Sequence, residues 1–350
     1  MQPERKRKLM WQLPFLTLLI VGTILIIRSQ QNTPYRKCSG LIFGTTYTVT
    51  YQYADDLQPE LEARMHQVDS ALSMFNKSSV ITRVNSGDGI IPPGTTGDMF
   101  LDVYKLGMQI SEDTGGAFDM TVAPLVNAWG FGFKQGSMPT PQQVDSLRQF
   151  VGFRKVSLQQ KGGRRAIVKQ DPRSMLDCSA IAKGYGVDAV ARLLHQRGVQ
   201  NYLVEIGGEV VTSGISEKRL PWKVGVTKPT DDSLPAAAGE LQTVLNITDC
   251  AMATSGNYRN FYYKGGRKYA HTIDPTTGRP VQHNILSATV ISKQCAVADA
   301  YATAFMVMGF DGAQQVLSSH PELMAYLIYD NDGQYQVWYS PSLKDAIIDN

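Results

Sequence analysis

Apolar side chains recur along this chain with two periods, and the switches between them mark out its elements. Thr46-Tyr-Thr-Val-Thr-Tyr51 alternates as a strand does. Pro59 then opens a helix whose Leu61, Met65, Val68 and Leu72 share one face. After a polar loop from Asn76 to Ser79, a second helix carries Phe100, Val103 and Ile110, with Asp98 as its expected cap and Gly115-Gly116 as its stop. A third helix is expected from Ser179 towards Gly198, aligning Ile181, Val187, Val190 and Leu194. Short strands follow at Tyr202 to Ile206, Val210 to Thr212, Trp222 to Val226, Thr243 to Ile247 and Leu286 to Ser292. The proline- and alanine-bearing stretch from Lys228 to Glu240 reads as a surface excursion among them. A fourth helix spans Val297 to Met308 and stops at Gly309. Met324 to Tyr329 and Gln336 to Tyr339, joined through Asn331-Asp332-Gly333, make a closing hairpin. Helices and strands intermix without steady β-α-β spacing, which predicts an α+β fold rather than a doubly wound sheet.

The first forty residues differ from the rest. Residues 1–8 form a basic start with Arg5, Lys6, Arg7 and Lys8, and residues 9–27 carry no charge. That uncharged run is about long enough to cross a bilayer as a helix. With basic residues ahead of it and no small-x-small cleavage site behind it, it predicts an uncleaved single-pass signal-anchor. The N-terminus then stays in the cytoplasm and the body lies on the extracytoplasmic side of a bacterial inner membrane. Residues 28–41 read as a linker. Cys38 follows Tyr35, Arg36 and Lys37, where lipid attachment wants small or apolar residues, so lipidation is not expected. The formal charge of +3 belongs to this anchor region. Residues 38–350 hold 27 basic and 30 acidic side chains, a balance that offers no footprint for nucleic acid. Four cysteines, Cys38, Cys178, Cys250 and Cys295, lack metal-type spacing and are too few for a disulfide scaffold.

Candidate chemistry is concentrated in four polar, glycine-bearing islands, at residues 115–132, 176–188, 253–280 and 298–309. Each sets a carboxylate, hydroxyl or imidazole among small residues that let backbone approach a ligand. Their key members are Asp119, Asp177, His271 and Asp299. Asp299 and Thr303 are four residues apart, which stacks a carboxylate and a hydroxyl on one helix face. Asp177 precedes another helix start, where free N–H groups favour phosphate. Two such starts facing each other could hold Mg²⁺ against a diphosphate, since this ion takes oxygen ligands and keeps waters and substrate phosphates in its shell. His271 precedes the turn Asp274-Pro-Thr-Thr-Gly278 and is a candidate to touch phosphate or handle a proton. P-loop, dinucleotide-fold, H-E-x-x-H and nucleophile-elbow motifs are all missing, which argues against P-loop phosphate chemistry and hydride transfer on a Rossmann unit.

The stretches from Gly116 to Gly132, from Ala253 to Asn260, and His271-Thr-Ile-Asp-Pro-Thr-Thr-Gly-Arg-Pro280 closely resemble the ApbE family of FAD:protein FMN transferases. The resemblance covers residues 42–344 and leaves 345–350 as a tail. It implies mixed or antiparallel sheets flanked by helices. It also implies Mg²⁺-dependent transfer of the FMN half of FAD to a threonine hydroxyl of a target flavoprotein in a membrane electron-transport complex, with release of AMP. By position in the family motifs, Ala180 (through its carbonyl), Asp299 and Thr303 would hold the metal. Phe43, Phe75, Ala117, Phe118, Asp119, Asp177, Lys183 and His271 would line the FAD site; the threonine proton would go to Asp177, His271 or a metal-bound group, with His271 the first choice. The chain departs from the family pattern at Phe43 (Met in the family), Phe75 (Tyr), Ala180 (Thr in some members), Lys183 (Glu in some) and Ala302 (a metal-binding carboxylate in some). These changes bear more on how many metal ions are held than on FAD binding. Two other activities fit the same residues: hydrolysis of FAD to FMN and AMP, and non-catalytic carriage of FAD.

Overall fold

The computed structural model of the chain describes residues 14–24, 33–131, 138–228, 241–256, 261–264, 267–270, 272–331 and 334–348. Its centre is an eight-stranded, wholly antiparallel sheet built from β1 (Tyr35–Ile42), β2 (Thr45–Gln52), β3 (Tyr202–Ile206), β4 (Glu209–Ser213), β5 (Cys250–Gly256), β6 (Ile285–Ser292), β7 (Met324–Asn331) and β8 (Gln334–Tyr339). The strands lie side by side in chain order, with Tyr47 opposite Ile206 and Val210 opposite Met252 setting the central registers. The α+β expectation is thereby met.

Four main helices support the sheet: α1 (Gln58–Leu72), α2 (Thr95–Asp113), α3 (Ser179–Gln196) and α4 (Cys295–Ser319). Pro59 sits in the first turn of α1, where its missing N–H costs nothing, and Leu61, Met65, Val68 and Leu72 are buried as their spacing demands. One core joins α1 and α3 to β1, β2 and β3; a second joins α2, α3 and α4 to the later strands. On the other face, Val210, Met252, Ile291 and Ile328 pack against a small sheet formed by Trp222–Thr227, Leu241–Ile247 and Ile347–Ile348.

Several expectations are corrected. The sheet already begins at Tyr35, inside the stretch expected to be linker, and Ile347–Ile348 is a strand rather than tail. Asp98 does not cap α2: Gly94 does, and Asp98 pairs with Arg165 from the first turn. Gly309, with a non-helical φ of 75, breaks α4 where the fourth helix was expected to stop, and a second helical segment continues from it to Ser319. Residues 14–24 are helical and largely exposed, while the rest of the 9–27 apolar run lies outside the described residues. Among the described residues no helix is long and apolar enough to cross a membrane. Most of the excursion from Lys228 to Glu240 also lies outside them.

Candidate active site

A cavity of about 430 Å³ opens at the end of the sheet where β3 turns into β4. That volume is within the range of small-molecule sites. All four islands reach it: Ala117 to Met120, Asp177 to Lys183, Thr254 to Gly256 with Thr272 to Pro275, and Asp299 with Thr303.

The interlock of α3 and α4 fixes its floor. The Asp188 carboxylate on α3 accepts the first free N–H groups of α4, from Cys295 at 2.8 Å and Ala296 at 2.9 Å. Burial pushes this carboxyl up to about 6, against the pull of those two N–H groups. In return, Asp299, only 3% exposed, accepts the Gly184 N–H of α3 at 2.9 Å. Asp299 and Thr303 both line the cavity, as their four-residue spacing predicts, and the Thr303 hydroxyl lies 3.2 Å from that of Ser255 on β5. So close a crossing requires glycine at 184. A Cβ there would stand 2.4 Å from the Cys295 carbonyl oxygen and 2.8 Å from the Ala296 Cα. Gly184→Ala is therefore expected to part the helices and lower stability by about 1–3 kcal/mol, read as a shift of the urea midpoint at unchanged slope.

A charged pair lies beside them. The turn Gly207-Gly208 (φ 64 and 103) brings Glu209 to the head of β4, where it is 2% exposed and ion-paired through Oε1 with the Lys183 Nζ. Its other oxygen, Oε2, has no hydrogen-bond partner among the described residues. Burial and the nearby Asp299 push the Glu209 carboxyl up to about 7, with Lys183 pulling it down. Burial alone would weaken the Lys183 ammonium's hold on its proton, but Asp299 and Glu209 outweigh it and raise its pKa. Glu209 was not singled out from the sequence. The available signal was an acidic residue directly after a Gly-Gly turn, opening an otherwise apolar strand.

The other expected residues divide. Ala117, Phe118, Ala180 and Lys183 line the cavity. Asp119 does too, but its carboxylate is taken up by its own neighbourhood: the Thr121 N–H and hydroxyl at 2.7 and 2.6 Å, and the Phe153 N–H at 2.8 Å. Burial raises its pKa against these bonds. Asp119 thus shapes the loop that presents Ala117 and Phe118. Asp177 accepts the Ser179 N–H at 2.8 Å at the start of α3, and its own N–H donates to the Met120 carbonyl at 2.6 Å, tying two islands together. Burial raises the Asp177 carboxyl above its usual range. Phe43, placed in the flavin site by the resemblance, lies in the β1–β2 turn with its ring over Gly186 of α3, outside the lining of this cavity. Phe75 is 81% exposed in the loop after α1, also off the cavity. His271 lies outside the described residues; its neighbour Thr272 lines the cavity. The cysteines are all free, and burial raises the thiols of Cys178 and Cys295, so neither offers a thiolate nucleophile.

The ApbE family model matches residues 43–328, which spans the sheet strands from the β1–β2 turn through β7 and every island at the cavity. The chain belongs to the ApbE family. It is 33% identical over 295 residues to a protein of Escherichia coli K12 named FAD:protein FMN transferase, covering 84% of this chain and 82% of that one. It is 35% identical over 314 residues to one of the same name from Vibrio cholerae serotype O1, covering 87% and 91%. The solved structure of the flavin transferase ApbE from Vibrio cholerae superposes with a TM-score of 0.76 at 33% identity, covering 89% of this chain and all of that one. Within this ApbE fold, the donors at the cavity suit a hard divalent cation: a carboxylate on Asp299, a hydroxyl on Thr303, and a buried carboxylate oxygen of Glu209 that has no hydrogen-bond donor among the described residues. Among the described residues no three acidic, histidine or cysteine side chains converge on one point. A cation here would draw the rest of its shell from carbonyl, water and phosphate oxygens, as Mg²⁺ commonly does.

Proposed function

We propose that this chain is an FAD:protein FMN transferase that moves FMN from FAD to a threonine hydroxyl of a target flavoprotein, with Mg²⁺, and releases AMP. One observation carries the reading: four islands far apart in sequence close on one cavity, with Asp299 and Thr303 on one side and the start of α3 on the other. In the reaction the threonine oxygen bonds to the FMN phosphorus, the bond to the bridging oxygen breaks, and AMP leaves with its electron pair. Mg²⁺, when bound, neutralises the diphosphate and stabilises charge on the departing AMP. Ala180, Asp299 and Thr303 would hold it.

The chain's own groups do the rest. The first N–H groups of α3 and the Lys183 ammonium offer positive charge to the diphosphate. Ala117 and Phe118 give the dinucleotide an apolar wall. The threonine proton passes to a base: His271 beside Thr272, or Asp177, whose raised pKa makes it a better proton acceptor than an ordinary carboxylate. The apolar run at residues 9–27 would tether the body to the extracytoplasmic side of the inner membrane. Tethering both enzyme and target raises their effective concentration, which suits acceptors in membrane electron-transport complexes.

The test is mass spectrometry of a threonine-bearing target flavoprotein after incubation with the purified chain, FAD and Mg²⁺. The expected result is a single FMN adduct on threonine with one AMP released per adduct, abolished by EDTA. AMP formed equally fast without target would make the protein an FAD pyrophosphatase. Bound FAD without any AMP would make it a carrier.

A further inference from the structure

We infer that Glu209 is a further holder of the divalent cation, accepting a hydrogen bond from cation-bound water through Oε2, while Lys183 balances its charge when the cation is away. The inference rests on the reading that Asp299 and Thr303 take such a cation. Glu209 is 2% exposed and lines the same cavity as Asp299 and Thr303. An ordinary buried ion pair satisfies both carboxylate oxygens, yet only Oε1 is engaged, by Lys183, and Oε2 has no partner among the described residues. Leaving such a buried acceptor unmade is unfavourable, and that penalty is removed when a donor arrives in the cavity.

Charge points the same way. Asp119, Asp177, Glu209 and Asp299 all line the cavity, and Lys183 is the sole cationic side chain among its described lining residues. Contact through water rather than direct ligation follows from the absence of three converging acidic, histidine or cysteine groups among the described residues. It also follows from the reluctance of Mg²⁺ to shed its waters. Groups that fix a metal's outer shell in this way typically alter its affinity by 10–100-fold when changed.

The experiment is a Mn²⁺ titration of the full-length protein followed by the loss of free-ion EPR signal, without FAD and then with it. Glu209→Gln is expected to weaken Mn²⁺ binding by roughly 10-fold. Glu209→Asp, which keeps the charge but withdraws both oxygens by one methylene, is expected to weaken it as well; this second variant also stands in should the glutamine form fail to fold. Lys183→Met is expected to tighten binding by removing the competing cation, and Glu209→Gln in that background should still weaken it. Unchanged affinity in Glu209→Asp, or a Glu209→Gln effect that vanishes once Lys183 is gone, would show that Glu209 serves only as the lysine's partner and would overturn the inference. A wild-type protein that takes up no Mn²⁺ with or without FAD would instead sink the cation reading of Asp299 and Thr303.

Discussion

Asp299→Asn is expected to slow AMP release from FAD by roughly 10²–10³-fold, the loss usual when a preorganised electrostatic contact to the transition state is removed. The substitution is chosen because Asp299 has two tasks. It lines the cavity as a candidate metal ligand, and it accepts the Gly184 N–H that locks α4 to α3. Asparagine can still accept that hydrogen bond but brings no negative charge. The rate should therefore fall while the thermal midpoint stays near that of the wild type. Asp299→Ala removes both functions, so it should lose stability as well as rate. AMP measured by chromatography at saturating FAD, beside a thermal melt, separates the two. A near-normal rate in the asparagine variant would take Asp299 out of the metal shell.

Lys183→Met should have the largest effect on stability. It leaves the buried Glu209 carboxylate unpaired beside Asp299, and breaking a buried ion pair from one side typically costs about 3–5 kcal/mol. The Lys183 side chain is 34% exposed, so part of the pair is already screened by water and the low end of that range is expected. The loss should also depend on pH in a definite direction. Glu209 has a folded-state pKa raised to about 7, against roughly 4.3 for an unfolded glutamate. Its contribution to stability is thus fully present below about pH 4 and is lost as pH rises through 7. Without Lys183 to draw it down, that pKa rises further, so the variant's deficit should be small at pH 5 and large at pH 8. Urea midpoints at the two pH values check this; a deficit independent of pH would mean that Glu209 does not carry the charge.

The helical half of this architecture was legible because its apolar positions obey the 3.6-residue period: Leu61, Met65, Val68 and Leu72 are buried where the pattern put them. The Asp299–Thr303 pair was legible for the same reason, since spacing alone puts both on one face. What was missed has physical causes. β1 begins Tyr-Arg-Lys-Cys-Ser-Gly, the polar edge strand of the sheet, exposed along much of its length and so lacking an apolar alternation. β5 reads Cys-Ala-Met-Ala-Thr-Ser-Gly, small residues of weak strand propensity, because α4 packs directly over it. Glu209 escaped notice because a single acidic residue at a turn is ordinarily solvated. Its importance appears only once Lys183, 26 positions earlier, is seen to fold back onto it. The resemblance identified the family and most of the cavity; Phe43 and Phe75, which it placed by motif alone, lie outside this cavity's lining.

The chain-order sheet has a consequence for how the protein assembles. Six of the seven junctions between neighbouring strands join segments that are also close along the sequence, but the step from β2 to β3 must bridge residues 53–201. Closing so long a span is slow, because its entropy is lost before the pairing returns any energy. At that seam the Gly207 N–H bonds the carbonyl of Thr46, at the start of β2, at 3.0 Å, two residues from Glu209. The catalytic hollow is thus expected to be among the last regions to form during refolding, so that recovery of FAD binding lags behind recovery of secondary structure.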